Sequence, residues 1–332
     1  MADLVKETNS NQSDNERVVH EMNIPVGTVP IKQKTRGIPY NYRQDFKKMI
    51  LEMKSAGMIV DSKSPWCSPV RLVRKKDGSI RVCVDFRKVN NVTEKDAYPI
   101  PRIEDLFSYL KPARVFTTLD LASGYYQVKM DPKSSKYTAF SCDFGFFEYA
   151  VMPMGLTNAC ATFQRLMDNV LREFLGKTCL VYLDDIIIFS KDLEEHHQHV
   201  KEIAECLRKH NLKVKLSKCK FAQNHVEYLS HIIGEGTIKP NPAKIEAVAK
   251  FKCPTSVKTV QSFLGLVSYY RKFIKDCAKI CSPLINLTKK GVLFDWTDEC
   301  QNAFVFLKDM LTQEDNILIL PDYDAPFRIR CQ

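Results

Sequence analysis

Two adjacent acids, Asp184 and Asp185, sit between the apolar runs Leu180-Val181-Tyr182-Leu183 and Ile186-Ile187-Ile188-Phe189. Runs of this length suit buried strands, so the spacing predicts a hairpin with two carboxylates at its tip. Like charges side by side repel unless a cation lies between them. Hard divalent ions such as Mg²⁺ take oxygen ligands and keep waters and substrate phosphates in their remaining positions, which suits carboxylates at an open strand end. An Asp-Asp β-turn without a ligand is the alternative, because Asp is a common turn former. An upstream acid weighs against it. Val115 to Leu121 reads as an apolar strand with the lone carboxylate Asp120 at its end, followed by Ala122-Ser123-Gly124-Tyr125-Tyr126. An acid at the carboxyl end of one strand and a pair at a neighbouring hairpin can converge into a two-metal site for in-line displacement at phosphorus. Asp120, Asp184 and Asp185 are then expected within a few ångströms of one another at one edge of an antiparallel sheet. Taken alone, Asp120 would more often be a helix N-cap or turn residue.

The elements that must position these acids follow from periodicity. The pattern from Tyr40, with Phe46, Ile50, Leu51 and Met53 on one face, predicts a helix closed by Gly57. Val70 to Arg74 and Ile80 to Val84 alternate around Lys75-Lys76-Asp77-Gly78-Ser79, a hairpin with a basic tip. Further helices are expected over 99–110, 159–175 and 194–210, so strands and helices mix in an α+β or α/β body. After Gly236 the pattern becomes mostly helical, over 243–251, 257–270 and 300–311, and a domain boundary is placed there. Residues 1–20 are polar and too poor in large apolar groups to offset ordering entropy, so this tail is expected to be disordered.

Composition narrows the class. The 332 residues carry 49 Lys+Arg against 39 Asp+Glu, a net charge of +10, with 45% hydrophobic and 10% aromatic residues. That is a globular protein with a basic surplus, long enough for two or three packed units. No run approaches the roughly 18 apolar residues needed to cross a bilayer, and Met1-Ala2-Asp3-Leu4 does not open a signal peptide. The chain is read as neither secreted nor membrane-spanning. Its 12 cysteines contain no Cys-x-x-Cys pair, so reduced thiols in a cytoplasmic or nuclear protein are expected. Glu194-Glu195-His196-His197-Gln198-His199 does not place three ligands on one helical face and is read as a solvated helix. Cys277 and Cys281 are read as packing residues.

Asp120 to Val128, Val151 to Gln164 and Val181-Tyr182-Leu183-Asp184-Asp185 resemble three successive motifs of reverse transcriptases of the gypsy-type LTR retrotransposon class. Ser64 to Val70, Lys76-Asp77-Gly78, Val84-Asp85-Phe86-Arg87 and Tyr98 to Arg102 resemble the finger region of the same family, in the same order. Tyr228-Leu229-Ser230-His231 resembles its primer-contacting turn and Phe263 to Arg271 a thumb segment.

The resemblance implies an α+β right-hand polymerase: fingers and palm with an antiparallel sheet over 21–236, a helical thumb over 237–312, and the start of a ribonuclease H-like region over 313–332. It implies that Asp120, Asp184 and Asp185 are the catalytic, metal-binding triad, using two Mg²⁺ ions or Mn²⁺ in their place. Lys75, Arg81, Tyr125 and Gln164 would contact the dNTP, with Tyr125 excluding a 2′-hydroxyl. Tyr182, Tyr228, Leu229, Ser230, His231, Arg271 and Lys272 would contact nucleic acid. The implied partners are an RNA or DNA template with its primer and dNTPs, with no membrane; the oligomeric state is left open. Cys160 stands where the family usually has Pro, Met154 where it has Phe, and Ser230 where it has Gly. Gln332 stands where the first ribonuclease H Asp would be, so no ribonuclease H activity is expected. The lysines over 209–220 and 250–279 would suit a duplex backbone.

Two functions from different classes follow. The first is an RNA-directed DNA polymerase, favoured by the intact acids. The second is a catalytically inactive or domesticated remnant that binds nucleic acid.

Overall fold

The computed structural model describes residues 18–74, 80–313 and 317–320. Lys75, the hairpin tip, most of the polar tail and the Pro321 to Gln332 segment lie outside the described residues. Mixed strands and helices are present as expected. Among the described residues three sheets form, of five, four and four strands.

The first sheet is built from β1 (Ile59–Asp61), β2 (Ser68–Arg74), β3 (Ile80–Val84), β5 (Phe140–Cys142) and β6 (Gly145–Tyr149). The β2/β3 hairpin pairs Val70 with Val84 and Arg74 with Ile80, the register that the alternating pattern calls for. Phe140, Phe147 and Tyr149 bury one face, with the Phe140 and Tyr149 rings 5.4 Å apart. Helix α1 (Arg43–Ser55) presents Phe46 and Ile50 inward. Shorter helices α2 (Arg87–Val92), α3 (Ile103–Ser108) and α4 (Pro132–Ser135) occupy the connections.

The second sheet contains β4 (Val115–Asp120), β7 (Cys179–Tyr182), β8 (Asp185–Ser190) and β9 (Lys220–Gln223). The run Ile186-Ile187-Ile188 is fully buried, which is why it forms a strand with no polar alternation. Helix α5 (Ala159–Val170) stops short of the expected 175, because the chain turns at Leu171. Helix α6 (Leu193–Lys209) closely matches the expected span. His196 on it is buried, not solvated: Thr117 Oγ1 lies 2.7 Å from its Nε2 and Ser190 Oγ 2.9 Å from its Nδ1. Paired in this way, the ring joins the core as a neutral group, and burial brings it down to about 4.

The third sheet, β10 (His225–Tyr228), β11 (His231–Gly234), β12 (Thr237–Pro240) and β13 (Leu318–Ile319), precedes and pairs around the helices α7 (Pro242–Ala249), α8 (Val257–Tyr269), α9 (Cys277–Asn286) and α10 (Asp298–Thr312). Ser256 and Thr259 close a capping box at the start of α8. The Phe263 ring packs at a tilt against Phe304 with centres 4.7 Å apart, and Leu284 and Leu307 are fully buried beside this helical core.

The chain divides into two compact units that interleave in sequence. One comprises the described parts of Met1–Pro101, Leu119–Ile186 and Val200–Cys219. The other comprises Arg102–Thr118, Ile187–His199 and the described part of Lys220–Gln332. Asp120, Asp184 and Asp185 fall in the first, and the Tyr228 to His231 turn in the second.

Candidate active site

β8 and β4 are neighbours in their sheet. The N–H of Arg114, just before β4, donates to the carbonyl of Ser190 at the end of β8 (2.9 Å). Only an antiparallel pairing allows that bond. Asp120, the last residue of β4, therefore comes to the same sheet end as Asp184 in the turn and Asp185 at the head of β8.

The three side chains share an end without sharing a point. Among the described residues, no three His, Cys, Asp or Glu side chains stand close enough together to hold a metal ion, which corrects the expectation of a converged triad. Two physical reasons are visible. Neighbouring residues of a strand turn to opposite faces, and Asp184 is half-buried whereas Asp185 is exposed. Asp120 has its own partner: Lys218 Nζ donates to its Oδ2 at 2.9 Å. The donor set still fits a hard divalent ion. It is made of carboxylate oxygens at a strand end open to water, and one of them already holds a cation, the Lys218 ammonium.

The turn carrying the acids is strained. Leu183 has φ of 57°, in the left-handed region that β-carbon-bearing residues avoid. Gln164 on α5 over-determines it. Gln164 is 1% exposed. Its Oε1 accepts the Leu183 N–H (2.7 Å), while its Nε2 donates to Asp168 Oδ1 (2.8 Å) and to the Val181 carbonyl (3.4 Å). Expected beside the nucleotide, Gln164 is instead an internal strut with its amide committed to the hairpin. Asn90 plays a similar part that sequence reasoning missed: its Nδ2 donates to the Gly155 carbonyl (2.8 Å) and its Oδ1 accepts the Thr157 N–H (3.0 Å). The chain reverses there through Gly155 at φ 96°. A polar residue inside an apolar helical face was the available signal for Gln164; Asn90 offers none.

Tyr125 follows a close approach: a β-carbon on Gly124 would meet Phe163 Cζ at 3.0 Å. With glycine there, the Tyr125 ring stacks on Phe163 at 5.2 Å and its hydroxyl meets Cys160 Sγ at 3.3 Å. Burial, then the Cys160 contact, pushes the phenol well above its usual range, and the charge of Asp184 adds to the same direction. Cys160, where the family usually has Pro, thus supplies a partner that proline lacks. Tyr182, at the end of β7, is half-buried and lies in the electrostatic reach of Tyr125. Arg81 is exposed on β3.

In the other unit, β10 and β11 are joined by Leu229 and Ser230 at φ 47° and 59°. Two successive left-handed residues make the tight hairpin that usually takes Asn-Gly, so the residue standing where the family has Gly carries a real strain. The Tyr269 hydroxyl donates to the Leu229 carbonyl (2.8 Å) and the Tyr270 hydroxyl to the Ser230 carbonyl (3.2 Å). His231 Nδ1 lies 2.6 Å from the Leu229 carbonyl oxygen. Tyr228 and His231, expected on the nucleic-acid surface, are buried at 3% and 2% exposure. The His231 ring packs edge-on to Phe107 at 4.9 Å and against Tyr269, Tyr270 and Phe273. Burial, reinforced by the charge of Lys272, holds it near 4 and hence neutral. Lys272 does not project freely either: its ammonium lies 4.4 Å from the centre of the Phe107 ring, and burial lowers it to about 8. Arg271 is exposed.

The family model described as reverse transcriptase (RNA-dependent DNA polymerase) matches residues 73–233. The chain is 42% identical over 304 residues to the retrovirus-related Pol polyprotein from transposon 297 of Drosophila melanogaster, covering 90% of this chain and 29% of that protein. It is 40% identical over 316 residues to the polyprotein from transposon opus of the same organism, covering 90% and 31%. The chain thus spans about three tenths of the length of these relatives. Among solved structures, a foamy viral protease-reverse transcriptase in complex with dsDNA superposes with a TM-score of 0.83 at 24% identity, over 98% of this chain and 68% of that one. The same viral enzyme in complex with an RNA/DNA hybrid gives 0.77 at 23%, over 89% and 40%. These superpositions show the reverse transcriptase fold. Residues 73–233 thus match the reverse transcriptase family, and over most of its length the chain is similar to gypsy-type retrotransposon Pol polyproteins.

Proposed function

We propose that the chain is an RNA-directed DNA polymerase that transfers a nucleotide from a dNTP to a primer 3′-hydroxyl. The observation that carries this reading is the delivery of Asp120, Asp184 and Asp185 to one end of one sheet by the antiparallel β4/β8 pairing. Asp120 and Asp184 would hold divalent ions, with Asp185 beside them. Bound there, such ions would activate the attacking hydroxyl and offset charge on the leaving pyrophosphate.

The chain's own residues do the positioning. Gln164 fixes the turn that carries Asp184. Tyr125, held flat by Phe163 and tethered by Cys160, offers a ring where a sugar edge can rest, and a 2′-hydroxyl would collide with it. Arg81 is exposed on β3; the family pattern implies that it and Lys75 would meet phosphate charge. The partners under this reading are a primed RNA or DNA template and dNTPs; the relatives whose structures hold an RNA/DNA hybrid or dsDNA support the first of these.

Incorporation of dTTP on poly(rA)/oligo(dT) by purified protein tests it. Divalent-ion-dependent extension is expected. Tight binding of the template-primer with no incorporation in either Mg²⁺ or Mn²⁺ would instead leave a nucleic-acid-binding remnant.

A further inference from the structure

Lys218 is one of a run of lysines whose sequence suggested contact with a duplex, yet its ammonium is turned onto Asp120. The fold builds that contact in several steps. After α6 the chain is stitched to the end of β4: Leu121 bridges Val214, the Ala122 N–H donates to the Lys213 carbonyl (2.8 Å), and the Lys215 N–H donates to the Asp120 carbonyl (2.8 Å). Gln127 fastens both sides. Its Nε2 donates to the carbonyls of Ala122 (2.8 Å) and Lys213 (2.9 Å), and its Oε1 accepts the Lys213 N–H (2.7 Å). One 3₁₀ turn, Leu216–Lys218, closed by the Lys218 N–H on the Lys215 carbonyl (3.0 Å), then carries the lysine stem back over the strand end.

The chemistry of that contact is specific. A strand end bearing three carboxylates needs positive charge when no metal is bound. An ammonium on a flexible four-carbon stem supplies a single charge that can leave. The Lys218 side chain is 56% exposed and that of Asp120 34%, so water can take over from either partner. The oxygen that Lys218 occupies, Oδ2, belongs to the carboxylate that a divalent ion would use. Lysine and metal therefore compete for one carboxylate.

We propose that Lys218 is the resident counter-ion of Asp120 in the metal-free protein and gives up that carboxylate when a divalent ion binds. It is a positioning residue: it keeps Asp120 turned toward the strand end and sets the ion concentration at which the site fills. The proposal rests on the metal-site reading above.

The test is a titration of the full chain with Mn²⁺, without nucleotide or template, reading free Mn²⁺ by electron paramagnetic resonance. Lys218→Met should bind Mn²⁺ roughly fivefold more tightly than the wild type, the size expected for release of a partly exposed ion pair. Lys218→Arg, which keeps the charge, should bind as the wild type does. In EDTA the Lys218→Met protein should melt below the wild type, and saturating Mn²⁺ should close the gap. If Lys218→Met binds no more tightly than wild type while Asp120→Asn loses affinity, the counter-ion role is overturned and the metal site stands. If Asp120→Asn and Asp184→Asn bind Mn²⁺ like the wild type, the metal-site reading falls and this inference with it.

Discussion

Two hairpin turns, one in each unit, solve the same steric problem for different ends. The β7/β8 turn bends through Leu183 and the β10/β11 turn through Leu229 and Ser230, all with positive φ and none of them glycine. Each such residue costs on the order of 1 kcal/mol and persists only where its surroundings over-determine it. At the first turn a buried amide, Gln164, grips the backbone from inside, which leaves the outer face to carboxylates. At the second, tyrosine hydroxyls grip the carbonyls, and the neighbouring titratable groups are drawn into an aromatic packing that keeps His231 neutral. The contrast teaches that backbone strain alone does not mark chemistry. What separates the turns is whether the support comes from below, freeing charge to face solvent, or from around, enclosing it.

Removing the supports should separate them further. Gln164→Ala leaves the Leu183 N–H and the Val181 carbonyl without their side-chain partner. A loss of about 1 to 3 kcal/mol in a thermal or urea melt is expected, and misplacement of Asp184 should cost incorporation roughly a hundredfold. A melt that falls with unchanged single-turnover rate would detach the strut from the chemistry.

Acid should act on the enclosed groups first. His20, which the expected disordered tail included, is instead buried with its Nδ1 2.8 Å from Thr162 Oγ1, and it, His196 and His231 are each held near 4 by burial. The sign follows from linkage: these rings are neutral in the folded chain, while unfolded histidines titrate near 6.5, so their stabilising share is complete above that value and is lost as pH falls towards 4. The melting temperature should drop steeply across that window. A flat profile there would mean that the rings are not enclosed as described.

Ser230→Gly should raise stability by about 1 kcal/mol, because glycine accepts the left-handed conformation without steric cost; equilibrium unfolding reads this directly, and a destabilised variant would contradict the strain. The smallest effect belongs to the residues after α8. Because Lys272 packs on Phe107 whereas Arg271 is exposed, Arg271→Ala should remove about 0.9 from the log-log salt slope of template-primer binding, equally across template sequences. Lys272→Ala should instead lower the melting temperature. A slope change at Lys272 as large as that at Arg271 would place both side chains on the duplex.

Much of this was legible in the sequence, for identifiable reasons. The period-2 pattern of Val70 to Val84, the apolar run before Asp120 and the helical periods of α6 and α8 all report burial directly, and the structure follows them. Asp184-Asp185 between two strand-like runs placed the hairpin correctly. What stayed illegible was the direction of polar side chains. His196 and His231 look like surface groups by type, and only their tertiary partners make them interior; for Gln164 the apolar helical face around it was the one hint. Lys218 looked like one more basic residue in a run, because its link to Asp120 spans 98 residues of sequence. The strands β10 to β12 went unassigned, since each has only four residues and their tight turns lack the usual Asn-Gly signature.

The most direct test of the central claim is single-nucleotide incorporation by Asp184→Asn, set beside wild type and Ser230→Gly at saturating template-primer. Asp184→Asn is expected to lose activity by roughly a thousandfold or more with an unchanged melting profile, and Ser230→Gly to incorporate at close to the wild-type rate. Incorporation by Asp184→Asn at the wild-type rate would contradict the claim, because the strand end assembled by β4 and β8 would then not be where the chemistry takes place.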